Sequence, residues 1–149
     1  MGGGLAALLF CRGGDSLKIG RLLMGALYIG AGAMHFVLTK AYMRVMPPYL
    51  PAHRELVLLS GAAEIAGGVG VLVPQTRRAA AWGLVALLVA VMPANIYMVQ
   101  THGQFPGIPL WALWARLPLQ VLLILWAWSY ARRKVPPPLW PIWSQNIHK

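Results

Sequence analysis

Five polar side chains within otherwise apolar sequence are the residues of this chain best suited to chemistry: His35, Glu64, Asn95, Arg116 and Gln120. Ionisable groups at the depth of a lipid bilayer are costly, so they normally face the interior of a helix bundle and pair with one another. Glu64 lies in the glycine-rich segment 60–70 and needs such a partner. We expect Arg116 to be its counter-ion and the other three residues to fill the remaining hydrogen-bond positions.

Each of these residues has a structural and a functional interpretation, and the sequence leaves both open. A Glu64–Arg116 pair is either a brace that fixes helix register or a protonatable pair that binds a ligand. His35 is either an interfacial histidine bonded to a loop carbonyl or a proton donor or acceptor to a quinone head group, because histidine titrates near neutral pH. Asn95 and Gln120 are expected to form hydrogen bonds between helices rather than to contact a ligand.

The composition indicates that the elements carrying these residues lie in a membrane. Of the 149 residues, 58% are hydrophobic and only 11% are charged, and the mean hydropathy is +0.61. A soluble domain of this size is far less apolar. The formal charge of +10 would suit nucleic acid, but the basic residues fall between apolar blocks rather than along one face. They are therefore interpreted as orientation and lipid-headgroup charges, and no nucleic-acid partner is expected.

Four apolar segments are each long enough to cross a hydrocarbon core about 30 Å thick. We therefore predict an all-α membrane protein with a four-transmembrane-helix bundle in residues 17–131, with spans at about 17–39, 55–73, 79–99 and 110–130. The glycine-rich residues 1–16 are predicted to be a flexible tail, and residues 132–149 a basic and then Pro/Trp-rich tail at headgroup level.

Small residues and prolines indicate how the spans are built. A stripe at helical spacing marks one face of the first span (Gly25, Tyr28, Gly32, His35) and another marks one face of the second (Gly61, Glu64, Gly68, Val71). Such stripes favour close packing against another helix. Pro93 and Pro118 are predicted to interrupt the third and fourth spans, because proline cannot donate the helical hydrogen bond.

The basic residues also predict an orientation and a depth. Most of them lie on the side of the two termini, whereas Lys40, Arg44 and Arg54 lie on the other side, so the positive-inside rule places both termini in the cytoplasm. At about 1.5 Å per helical residue, all five polar side chains then fall in the exoplasmic half of the membrane. The sequence thus predicts one polar cluster inside the bundle.

Several other kinds of site are disfavoured. A single cysteine, Cys11, excludes intramolecular disulfide and dithiol chemistry within the chain. No catalytic residue is predicted, since nucleotide-binding loops, haem-attachment cysteines and a Ser-His-Asp arrangement are not visible, and independent enzymatic activity has little support. No metal site is expected, because closely spaced ligands are missing. His53, His102 and His148 are expected to be exposed loop or tail residues.

The order of several short motifs resembles the DoxX-like family of small four-helix bacterial membrane proteins. The motifs are His35-Phe36, Pro47-Pro-Tyr-Leu-Pro51, Ser60-Gly61 followed by Glu64, Pro93-Ala94-Asn95, and Arg116 to Gln120, and the resemblance covers about residues 18–131. That family is named after a subunit associated with a thiosulfate:quinone oxidoreductase, and relatives have been linked to membrane redox or oxidative-stress assemblies.

The resemblance implies a multi-pass protein of the bacterial inner membrane that acts as an accessory or quinone-contacting subunit. Its candidate cofactor would be quinone, and its partners would be membrane lipid and redox proteins. Two alternatives remain open from the sequence. One is a structural or assembly protein that anchors partners, and the other is a path for protons or small solutes through helices broken near the midplane.

Overall fold

The computed structural model describes the backbone of residues 3–132 and the side chains of residues 17–132. Its helices are α1 (Gly3–Val37), α2 (Thr39–Arg44), α3 (His53–Leu72), α4 (Arg77–Gln100) and α5 (Leu110–Ala131), with a 3-10 turn at His102–Gln104. Within this part of the chain there is no strand, and four helices are long and apolar enough to cross a membrane: Leu17–Val37 of α1, α3, α4 and α5. The predicted all-α fold with four spanning helices is confirmed, and the protein has the architecture of a multi-pass membrane protein.

The observed spans start and end within two residues of the predicted boundaries, but α1 is longer than predicted. It begins at Gly3 and so includes most of the segment expected to be a flexible tail. Glycines lower helix propensity without terminating a helix, and the chain has no proline before Pro47. The predicted C-terminal tail lies outside the described residues except for Arg132, whose guanidinium carbon is 4.5 Å from the centroid of the Trp128 ring.

The prolines do not break their helices as predicted. α4 continues through Pro93 and α5 continues through Pro118. A proline removes one backbone hydrogen bond, and neighbouring helices in a membrane bundle can supply other partners for the backbone around it. The carbonyl left without its helical donor by Pro93 is that of Val89, and the side-chain amide of Gln120 donates to the preceding carbonyl, that of Leu88.

Close glycine contacts hold α1 against α3, as the two stripes predicted. A Cβ atom on Gly32 would lie only 2.5 Å from the carbonyl oxygen of Gly61, and one on Gly68 would lie 2.9 Å from that of Gly25. The residue order shows that the two helices run antiparallel. The four α3 residues assigned to the stripe are all buried. The small-residue faces therefore bring the two backbones together without intervening side chains.

The apolar core occupies the half of the bundle in which the first span begins and the last span ends. It contains Met24 of α1, Val71 of α3, Ala81 and Leu84 of α4, and Ala127 of α5. In this half Tyr130 Oη also donates to the carbonyl of Leu17 at 3.5 Å, which places the start of the first span beside the end of the last. The opposite half, where residues 38–52 and 101–109 connect the helices, is here called the loop half. It holds the polar residues.

Candidate functional site

All five polar residues predicted to cluster line one cavity in the loop half of the bundle. This cavity, here called the inner cavity, has a volume of about 430 Å³ and receives residues from all four spanning helices. His35 comes from α1, Glu64 from α3, Asn95 from α4, and Arg116 and Gln120 from α5. The structure therefore brings these five residues from four helices to one cavity. A volume of this size is typical of small-molecule sites.

His35 is held by α3 on one side of its ring and faces a carboxylate with the other. Its Nδ1 lies 3.0 Å from the carbonyl oxygen of Val57 and 3.0 Å from Ser60 Oγ. Because a carbonyl oxygen can only accept, Nδ1 must carry a proton. The Ser60 hydroxyl itself donates to the same carbonyl at 2.9 Å, so its oxygen is free to accept from the imidazole. In the neutral ring the lone pair is therefore on Nε2.

That lone pair faces Glu64. The distance from His35 Nε2 to Glu64 Oε2 is 3.7 Å, close enough for an ion pair but too long for a hydrogen bond. Glu64 is only 9% exposed, and its Oε2 has no hydrogen-bond partner. A buried carboxylate oxygen without a partner is unfavourable, so it requires either a proton or a bridging group. The two residues can share one proton, as a neutral pair or as an imidazolium and a carboxylate.

The predicted ion pair between Glu64 and Arg116 is wrong. No such pair forms among the described residues, and Arg116 Nη1 instead lies 3.7 Å from the sulfur of Met98, a weak acceptor. The physical reason is packing order. The glycine contacts bring α1, and with it His35, directly onto α3, whereas α5 packs mainly against α4. Arg116 still lines the inner cavity, but from the exposed side.

Asn95 and Gln120 form the hydrogen bonds between helices that the sequence predicts. The Asn95 amide donates to the side-chain oxygen of Gln120, and the Gln120 amide donates to the Leu88 carbonyl. Gln120 is 4% exposed, so this chain of hydrogen bonds is buried between α4 and α5. Each amide group retains a second N–H, and both residues border the inner cavity. Their structural role leaves these donors available to a ligand.

A second cavity of about 630 Å³, here called the outer cavity, adjoins the first in the loop half. Its walls come from α2, the end of α4, the 104–108 loop and the start of α5. Tyr42, Val45, Met98 and Arg116 line both cavities, so they form the wall between them. Arg44 lines the outer cavity without reaching the inner one.

Residues 24–131 match a family described as a domain of unknown function, DUF8561. The chain belongs to the DUF8561 family. No curated protein and no solved structure matches the chain. The matched segment contains every polar residue of the inner cavity and excludes both tails. The match to DUF8561 thus spans most of the helical bundle and all residues that form its polar cavity.

Two contributors to the site in this DUF8561 protein were not predicted. Tyr42 stacks on His35 with ring centroids 4.0 Å apart and an interplanar angle of 33°. Burial raises the pKa of the Tyr42 phenol, the charge of Glu64 adds to the rise and that of Arg116 opposes it. Its hydroxyl is therefore a donor at neutral pH. The second is Ser60, which contacts His35 Nδ1; its position one helical turn before Glu64 is the signal in the sequence that places it on the same face.

The remaining histidines follow the expectation in part. His102 is exposed, as predicted. His53 is instead half-buried, and its Nε2 donates to the carbonyl of Pro47 at 3.0 Å, which ties the start of α3 to the proline-rich loop. His148 lies outside the described residues. Among the described side chains no group of three potential ligands is placed to hold a metal ion.

Proposed function

We propose that this protein binds a quinone head group in the inner cavity and acts as a quinone-contacting subunit of a redox assembly in the bacterial inner membrane. The observation that supports this most directly is the unpartnered Oε2 of Glu64 beside the Nε2 of His35, in a cavity formed by four spanning helices. The resemblance to DoxX-like proteins agrees with this proposal. A membrane-depth cavity suits a ligand that partitions into lipid.

The chemistry of the walls fits the two ends of such a head group. A quinone or quinol presents oxygen atoms on opposite sides of a flat apolar ring, and when bound it supplies paired electron and proton transfer. Glu64 and His35 would accept from or donate to one oxygen, and the free N–H groups of Asn95 and Gln120 would donate to another. Leucine and valine side chains complete the cavity and exclude water from the ring.

Binding of decylubiquinone to the purified protein in nanodiscs tests the proposal. Glu64→Gln and His35→Ala should each weaken binding by about tenfold, the effect of losing one hydrogen bond to a charged group. The matched controls are Glu55→Gln, a carboxylate on the same helix, and His102→Ala, an exposed histidine, since neither residue lines the inner cavity. Both controls should retain wild-type affinity. Lipid extraction of the native assembly should also yield quinone.

Failure of the wild-type protein and of both controls to bind decylubiquinone, together with extracts free of quinone, would refute the proposal. A proton path is the competing function that the facing of His35 Nε2 and Glu64 Oε2 favours. It would instead produce proton flux into proteoliposomes that is lost in Glu64→Gln, with no quinone requirement. The two outcomes are separated by measuring flux and binding on the same preparations.

A further inference from the structure

The outer cavity combines two arginines with an apolar wall. Arg44 from α2 and Arg116 from α5 both line it. Among the described residues none of its lining side chains is acidic, and the polar neighbours are Tyr42 and Gln104. The rest of the wall is apolar and includes Leu38, Val45, Met98, Phe105 and Ile108. The cavity therefore offers positive charge and hydrocarbon contact together.

The positive charge of Arg116 is not neutralised within the described structure. Its hydrogen bond is to the sulfur of Met98, and the only nearby carboxylate that lines a shared cavity, Glu64, faces His35. Arg116 is the seventh residue of α5, about 9 Å along the helix from its start at 1.5 Å per residue. An arginine at that depth places its guanidinium toward the interface, where an anion can meet it.

Arginine is also the residue best suited to bind phosphate, because its planar fork donates two parallel hydrogen bonds to neighbouring oxygens. We propose that the outer cavity binds the phosphate group of an anionic membrane amphiphile between Arg44 and Arg116, whose two positive charges disfavour a choline head group, with the hydrocarbon portion against the apolar wall. The same phosphate chemistry is presented by an anionic phospholipid and by free phosphate. The apolar wall favours the lipid.

This proposal is independent of quinone binding, because Arg44 does not line the inner cavity. Arg44→Gln is therefore the informative substitution, and Arg116→Gln is expected to affect both cavities. Arg54 supplies a matched control, since it is exposed and is the second residue of α3, yet it lines neither cavity. All three arginines are exposed, so their replacement should leave the bundle folded.

Native mass spectrometry of the purified protein, with equal amounts of phosphatidylglycerol and phosphatidylcholine, tests the site. The wild-type protein should bind phosphatidylglycerol in preference to phosphatidylcholine. Arg44→Gln and Arg116→Gln should each weaken phosphatidylglycerol binding by about tenfold. Arg54→Gln should retain wild-type binding. Arg44→Lys, which keeps the charge but loses the fork, should fall between wild type and Arg44→Gln. Melting temperatures of the same samples identify any variant that is unfolded.

Inorganic phosphate at millimolar concentration distinguishes the two sources. If it leaves the bound phosphatidylglycerol in place, the lipid is the ligand. If inorganic phosphate displaces the lipid from the wild-type protein and binds more weakly to Arg44→Gln, the anion site is supported and its ligand is free phosphate. Equal binding of the two lipids, or equal losses in Arg44→Gln and Arg54→Gln, would overturn the proposal. Decylubiquinone binding by Arg44→Gln should be unchanged, so each proposal can fail without the other.

Discussion

Replacing Gly32 with alanine tests whether the close approach of α1 and α3 positions the His35–Glu64 pair. The added Cβ would lie 2.5 Å from the Gly61 carbonyl oxygen and 2.8 Å from Ile65 Cγ1. Carbon–oxygen contacts between helices ordinarily lie at about 3.3–3.6 Å. The two helices must therefore separate by about 0.8 Å, and the obstructing atom is backbone, which cannot rotate away.

This separation should affect both stability and the site. Overpacking of this kind destabilises by about 1–3 kcal/mol, and the higher helix propensity of alanine offsets about 1 kcal/mol of it. We expect a net loss of up to about 2 kcal/mol in the free energy of unfolding. The hydrogen bond between His35 Nδ1 and Ser60 Oγ, now 3.0 Å, would exceed hydrogen-bonding distance after such a shift. Decylubiquinone binding should weaken with it.

The matched control is Gly30→Ala, because a Cβ at Gly30 meets nothing within 4 Å. It should leave the protein unchanged or more stable by up to about 1 kcal/mol. Unfolding by dodecyl sulfate from maltoside micelles, followed by far-ultraviolet circular dichroism, measures both variants. Equal stability of Gly32→Ala and Gly30→Ala, with equal quinone affinity, would show that the glycine contact does not position the pair.

Two further substitutions test the α4–α5 hydrogen bonds and the entry into α3. Gln120→Leu removes both side-chain hydrogen bonds between α4 and α5 and should lower the free energy of unfolding by about 1 kcal/mol. The control Leu122→Ala, on an exposed face, should have little effect in the same dodecyl sulfate titration. Ala52 has a left-handed φ of 53°. Ala52→Gly should therefore stabilise the protein by about 0.5–1 kcal/mol, whereas Ala62→Gly within α3 should destabilise it by a similar amount in thermal melts. Unchanged stability in Ala52→Gly would refute the strain assigned to that residue.

Some features of this protein are properties of local sequence. The spans are recognisable because hydropathy over about 20 residues decides whether a helix can cross lipid. The buried face of α3 follows from helical periodicity, which places Gly61, Glu64 and Gly68 on one side. Distance along each span also determines depth, which is why the five polar residues could be assigned to one half of the bundle. The side of the membrane on which the termini lie stays a prediction from charge.

The identity of the partner of Glu64 was decided only by the tertiary structure. Depth along a helix does not specify which neighbouring helix a side chain faces. The sequence pattern alone therefore could not distinguish His35 from Arg116 as the partner of Glu64. The glycine contact that brings α1 onto α3, and the packing of α5 against α4, favour His35. Neighbouring helices also decide whether α4 and α5 continue through their prolines. The stacking of Tyr42 on His35 likewise depends on how α2 lies beside α1. The sequence by itself determined which groups must leave the lipid, whereas the packing of the helices determined which of those groups meet.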